Sequence, residues 1–213
     1  MVAHGRVMAR PPVIGITGGI GAGKSAVAEA LRALGCVVSD SDAHARHIFG
    51  EPDVQRAMRE RWGMRACAGG DPSAPVDRAA VGHIVFAEPA ERVWLESVIH
   101  PRIHAMREAE FAHAPAGTPA LVIDAPLLLE SGLGGVCDAI VFVEAPEALR
   151  LKRVRRNRGW SEADWRRRES AQWPLDRKRE AADHVVRNDG DPESLRAQVR
   201  LVLDQVIAAG RAG

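Results

Sequence analysis

The 213 residues carry 29 Lys and Arg against 28 Asp and Glu, so no global field points to nucleic acid or to a membrane surface. No run of about eighteen apolar residues is present to span a bilayer, and the opening M-V-A-H-G-R-V-M-A-R-P-P lacks the apolar stretch of a secretory signal. Cys36, Cys67 and Cys137 are odd in number and widely spaced, which fits reduced thiols in a cytoplasmic protein better than a disulfide framework.

Residues 1–11 read as a disordered N-terminal extension, with Met8 as an alternative start, and 12–209 as a single domain. That domain opens with a strand-like run (Val13, Ile14, Ile16), a glycine-rich turn and a helix from Lys24 to Leu34. Gly18, four residues, Gly23, Lys24 and Ser25 fit G-x-x-x-x-G-K-[ST]. Glycines at this spacing let successive backbone amides turn inward on phosphate oxygens, with the helix dipole behind them. Lys24 is placed to reach the β- and γ-phosphates, and the Ser25 hydroxyl to hold Mg²⁺. The chain has three lysines among its 29 basic residues, and one stands where the loop needs a compact ammonium. Gly21, Gly23 and Ala26 also satisfy G-x-G-x-x-[GA], with Asp40 downstream, as a dinucleotide site would. That pattern gives no reason for Lys24 and Ser25, so a nucleoside triphosphate is the expected ligand.

Gly35 ends the helix, and a short strand (Cys36 to Val38) runs into Ser39, Asp40, Ser41 and Asp42. Carboxylates at the C-terminal end of a parallel strand lie where open α/β sheets bind ligands. One can serve as general base for a substrate hydroxyl while the other caps a helix over residues 43–49. His44 and His47, and His100 and His104, lack the further ligands of a zinc site and read as surface or substrate-facing side chains. Residues 50–115 form a helical lobe, with helices over 76–86 and 89–113. Trp94, Leu95, Val98, Ile99, Ile103 and Met106 give the second one buried face, and His100-Pro101 is expected to kink or restart it.

Two further apolar runs end in acids, Ala120 to Asp124 and Ala139 to Glu144. Asp124 is either a Walker-B-type acid near a metal or a solvated cap. Continuous apolar runs without alternation indicate a parallel sheet buried on both faces. The fold class is α/β: a three-layer core (12–49, 116–146 and 183–209) around about five parallel strands, on the P-loop NTPase plan. Residues 147–182 are expected as an arginine-rich helical lid. Twelve of the 29 basic residues lie from Arg150 to Arg179, with Arg150, Arg153 and Arg156 on one helix face. Acids dilute that charge, and Trp160, Trp165 and Trp173 interleave it sparsely, so a lid closing on triphosphate fits better than a nucleic-acid footprint. The last strand, His184 to Arg187, leads to Asp191 as cap and Pro192 as opening of a final helix striped by Leu195, Val199, Val202 and Val206.

T-G-G-I-G-A-G-K-S, D-S-D-x-x-A-R (40–46), H-P-R-I (100–103), A-P-L-L-L-E (125–130) and Q-W-P-L-D-R-K-R-E-A-A-D-H-V-V-R-N-D-G (172–190) together resemble the dephospho-CoA kinase family. The resemblance runs over about residues 12–205. It implies ATP- and Mg²⁺-dependent phosphorylation of the ribose 3′-hydroxyl of dephospho-CoA, with that small molecule as the partner rather than nucleic acid or membrane. Carried over, Asp42 looks like the acid that activates the hydroxyl, with Lys24 and Arg153 at the transferring phosphate. Thr17, Gly18, Gly19, Ile20, Gly21, Ala22, Gly23, Ser25, Ala26 and Asn188 fall at the ATP site. Asp40, Asp42, Arg46, His100, Arg102, Pro126, Leu127 and Glu130 fall at the acceptor site. Ser25 is implied as the Mg²⁺ ligand, with Asp42 or Asp124 as a second. Where the family shows a second lid arginine this chain has Asn157, and R-G-W-S (158–161) replaces D-G-L-S. Two alternatives stay open: a P-loop kinase for a nucleoside or sugar, and a P-loop module binding nucleic acid or protein through the arginine-rich segment.

Overall fold

Five short apolar runs form five parallel strands: β1 (Val13–Gly18), β2 (Val37–Asp40), β3 (Leu121–Asp124), β4 (Ala139–Glu144) and β5 (His184–Arg187). Their order across the sheet is β2-β3-β1-β4-β5, with β1 central and buried along its length. The structure, a computed structural model, describes residues 10–71 and 74–210; of the extension expected at residues 1–11, residues 1–9 lie outside them.

Strand alternation sends Ile14 and Ile16 to one face, where they pack with Val27 and Leu31 of α1 (Lys24–Ala33) and Val199 and Leu203 of α9 (Pro192–Gly210). Asp191 caps α9, its Oδ1 accepting the amides of Glu193 and Ser194. On the opposite face Gly15 meets the loop after β3. A Cβ there would lie 2.6 Å from Leu128 Cδ2 and 2.7 Å from Cys137 Sγ, so only a glycine lets Leu128 lie flat on the strand.

Chain contacts divide the described residues into two units, 10–40 with 114–210, and 41–113. The second unit is helical: α2 (Ser41–Phe49), α3 (Pro52–Trp62), α4 (Arg78–Ala87) and α5 (Pro89–Ala112) close around Ile48, Val54, Met58, Trp62, Val81 and Ile84. It begins at Ser41 rather than at residue 50. The helix α5 does not restart at Pro101 but continues through it. Proline removes one backbone hydrogen bond and costs about 3 kcal/mol in a helix interior. Trp94, Leu95, Val98, Ile103 and Met106 pack both halves of α5 on one core, which offsets that loss. Arg102 Nη1 donates to the Val98 carbonyl at 2.9 Å, supporting the ladder beside the proline.

Candidate active site

Between β1 and α1 the chain turns through Gly19 to Gly23, and its carbonyls are held by donors from distant parts of the sequence. The Ile20 carbonyl accepts Trp165 Nε1 at 3.2 Å and Arg150 Nη1 at 3.4 Å. The Ala22 carbonyl accepts Asn188 Nδ2 at 2.8 Å and Arg153 Nη1 at 3.2 Å. Lys24 Nζ rests on the Gly18 and Gly19 carbonyls at 3.0 and 3.2 Å. A loop whose carbonyls are held in this way presents its amides to an anion, at the N-terminus of a helix. Gly23 has φ 93°, and a Cβ there would fall 2.0 Å from Asn188 Nδ2, so conformation and space both require glycine.

Thr17, at the end of β1, is buried, and its hydroxyl has no partner among the described residues. A buried unpaired hydroxyl beside an anion-binding loop fits a ligand oxygen that would complete it. Ser25 is exposed in the first turn of α1. Asp40 and Asp124 are register partners at the C-terminal ends of β2 and β3, and Asp124 is also opposite Ile16 of β1. One hydroxyl and neighbouring carboxylates are the hard oxygen donors Mg²⁺ prefers, with phosphates and water completing its shell. Among the described residues no group of three His, Cys, Asp or Glu forms an all-protein metal cage.

The arginine-rich segment folds as α6 (Glu147–Arg158), α7 (Glu162–Ser170) and α8 (Leu175–Glu180). Arg153 donates to the Asn188 carbonyl at 2.9 Å as well as to Ala22, so its guanidinium bridges the phosphate loop and the end of β5. Arg150 is buried, ion-paired with Glu169 and stacked over Trp165 at 5.0 Å. Neither Arg150 nor Glu169 was singled out as a site residue by sequence reasoning. Arg156 points to solvent, and Asn157 is exposed and accepts Arg156 Nε at 3.2 Å. Much of the remaining charge is met inside the segment. Arg155 pairs with Glu162, Arg166 with Glu147 and Glu162, and Arg167 with Asp164. Arg158 and Arg168 stack on Trp160 at 4.9 and 4.3 Å, and Arg177 on Trp173.

After β3, Leu127 is exposed and Pro126 half-buried, while Leu128 and Leu129 point inward. Glu130 Oε1 accepts Lys178 Nζ at 2.8 Å and the Trp173 amide at 2.9 Å. In the helical unit, Asp42 lies exposed in the first turn of α2, with Arg46 exposed one turn later. His44, expected at the surface or facing substrate, is buried, its Nε2 2.9 Å from Glu110 Oε1. His100 and His104 are exposed on α5. Arg102 pairs with Asp53 at 2.6 Å and Glu51 at 3.5 Å, and its hydrogen bond holds the Asp53 carboxyl below the usual range. The first unit carries Thr17 to Ala26, Asp40, Asp124, Pro126, Leu127, Glu130, Arg153 and Asn188, and the second carries Asp42, Arg46, His100 and Arg102.

The family model for dephospho-CoA kinase matches residues 12–193. A dephospho-CoA kinase of Synechococcus sp. (strain CC9605) is 42% identical over 192 residues, 89% of this chain and 91% of that relative. A solved structure from Thermus thermophilus aligns with a TM-score of 0.79 at 34% identity, over 92% of this chain and 98% of that one. The dephospho-CoA kinase from Campylobacter jejuni, 22% identical, shares the fold with a TM-score of 0.65 over 92% of this chain and 98% of its own.

Proposed function

The chain belongs to the dephospho-CoA kinase family, and we propose that its phosphate loop and acidic strand ends pass the γ-phosphoryl group of ATP to the ribose 3′-hydroxyl of dephospho-CoA. It is a kinase of coenzyme A biosynthesis, and the products on this reading are coenzyme A and ADP. The observation that carries the assignment of roles is the loop itself, with Lys24 resting on its carbonyls and the unpaired Thr17 hydroxyl at its start.

ATP lies with its β- and γ-phosphates on the amides from Gly19 to Ser25, and Thr17 completes its hydrogen bonding on a phosphate oxygen. Lys24 shifts from the loop carbonyls to the β- and γ-phosphates, and Arg153 adds a cation fixed by Ala22 and Asn188. Ser25 and Asp124 are the residues that would hold Mg²⁺, whose chemistry is to neutralise charge on the β- and γ-phosphates. Asp42 takes the proton of the 3′-hydroxyl as its oxygen bonds to the γ-phosphorus and the bond to the β,γ-bridging oxygen breaks. Asp40, Pro126 and Leu127 contribute to acceptor binding, and Arg46, His100 and Arg102 are the helical unit's groups for the acceptor's polar and anionic parts. We read 12–209 as one kinase domain, with 147–182 as lid and the substrate lobe extended back to Ser41. We place it in the cytoplasm, in keeping with three unbridged cysteines.

Asp42→Asn tests the chemistry. ATP affinity is expected to stay within about twofold, while kcat with dephospho-CoA falls about 10²- to 10⁴-fold, the usual contribution of a positioned base. Near-wild-type turnover in this variant would remove Asp42 from the reaction.

A further inference from the structure

One of the three lysines in this arginine-rich chain, Lys178, is 0% exposed. Its ammonium donates to Glu130 Oε1 at 2.8 Å and to Gln172 Oε1 at 2.9 Å. The same Glu130 oxygen accepts the Trp173 amide, and Oε2 is buried with no partner among the described residues. Glu130 falls on a motif that the resemblance assigns to the acceptor site; its Oε1 already holds two donors, and its Oε2 faces the protein interior. Burial pushes the carboxyl upward, and the hydrogen bonds from Lys178 and Trp173 outweigh it, so Glu130 stays an anion. A compact ammonium satisfies two acceptors here from inside the protein.

The loop that ends in Glu130 has a second fixed point, since Leu128 is pegged on β1 at Gly15. Between β3 and these anchors stand Pro126 and Leu127, the latter 44% exposed. Lys178 lies on α8, downstream of α7, whose Trp165 and Glu169 are tied to the phosphate loop through Ile20 and Arg150. We infer that Glu130 and Lys178 are positioning residues that act as one clamp, fixing the Pro126–Leu127 turn for the acceptor, and that Glu130 does not itself touch the acceptor. The inference rests on dephospho-CoA being the acceptor and on this turn forming part of its site.

A double-mutant cycle on the full chain separates a clamp from a direct contact. Glu130→Gln, Lys178→Met and the double variant are assayed for KM of dephospho-CoA and kcat at saturating ATP, and for ATP affinity with a fluorescent ATP analogue. Each single variant is expected to raise the acceptor KM about tenfold, with ATP affinity within about twofold. The double variant is expected to be no worse than the worse single, because the second change removes an interaction already lost. A multiplicative loss of about a hundredfold would mean that Glu130 binds the acceptor directly, and would overturn the clamp. An unchanged acceptor KM in Lys178→Met, or an equal loss of ATP affinity, would overturn it too. Should Lys178→Met fail to fold, Lys178→Arg, which keeps the charge and loses the compact shape, takes its place under the same criteria. Amide hydrogen exchange over residues 127–132, read without substrate, is expected to rise in the Lys178 variant; unchanged exchange contradicts the clamp whatever the acceptor. If exchange rises but wild-type protein ignores dephospho-CoA, the acceptor assignment fails and the clamp stands.

Discussion

Asn188 shows how one side chain can decide whether a phosphate loop is usable. Its amide reaches the Ala22 carbonyl at 2.8 Å through the space a Cβ on Gly23 would take. Gly23→Ala is therefore expected to displace Asn188, strain a backbone at positive φ and weaken ATP binding at least tenfold, as read by calorimetric titration. Binding within about twofold of wild type would mean that the loop tolerates the displacement. The loop residues were legible in the sequence because eight consecutive positions carry their own conformational logic: glycines, a lysine and a hydroxyl at fixed spacing. Arg150 was not legible in the same way. Its partner Glu169 lies 19 residues away, and the reason for its burial is the carbonyl of Ile20, 130 residues before it. No local pattern distinguishes an arginine that staples a loop from its many solvated neighbours in the same segment.

Among the elements, α7 carries the clearest case of a helix held for the sake of a loop. Trp165 is 1% exposed and gives its indole N–H to Ile20. Trp165→Phe keeps most of the apolar volume and leaves the Ile20 carbonyl with the longer Arg150 contact. A stability loss of about 1–2 kcal/mol is expected in urea unfolding, with a raised KM for ATP and an unaltered KM for the acceptor. A raised acceptor KM with normal ATP kinetics would contradict this division of labour. The α5 helix makes the opposite point about reading elements from sequence. Pro101 is a sound reason to expect a kink or a restart, because local propensity disfavours it by about 3 kcal/mol. Packing of one face of α5 from Trp94 to Met106 against the core is a tertiary gain that the local sequence does not report. Pro101→Ala is accordingly expected to stabilise the protein by about 1–2 kcal/mol; destabilisation would show that the proline fits a bend the packing requires. Strands β3 and β4, by contrast, were legible nearly to the residue, since central parallel strands read as unbroken apolar runs between turns, while β1 and β2 run two residues beyond their apolar runs. The start of the helical unit at Ser41 was missed because Ser39 to Asp42 carry strand-end and helix-cap signals at once.

For the whole molecule, the ionisable groups set limits on stability from both sides of neutrality. Glu130 is held below the usual carboxylate range, and so are Asp53 and Glu91, chiefly by hydrogen bonds from Arg102 and Arg61. Groups with lowered folded values contribute stability that is present above the ordinary carboxylate range, about 4, and is lost as pH falls through the folded values. Cys36 behaves in the reverse sense. Burial pushes its thiol up to about 11, so its contribution is complete below the ordinary thiol value and is lost as pH rises toward 11. With no tyrosine and three lysines, few other groups titrate in that range. Urea midpoints are expected to be level near neutrality and to fall at both extremes, with Cys36→Ala flattening the alkaline fall. An identical alkaline fall in that variant would exclude the buried thiol as its cause.

The most direct measurement is ADP formation with ATP and Mg²⁺ across a panel of acceptors: dephospho-CoA, adenosine, AMP, gluconate and none, with the position of any new phosphate read by NMR. The expected result is ADP formation that depends on dephospho-CoA, with the product phosphorylated at the ribose 3′-oxygen. ADP formed with adenosine or gluconate and not with dephospho-CoA would keep the phosphate loop as a kinase site and contradict the acceptor. Folded protein that binds ATP yet turns over with none of them would contradict phosphoryl transfer itself.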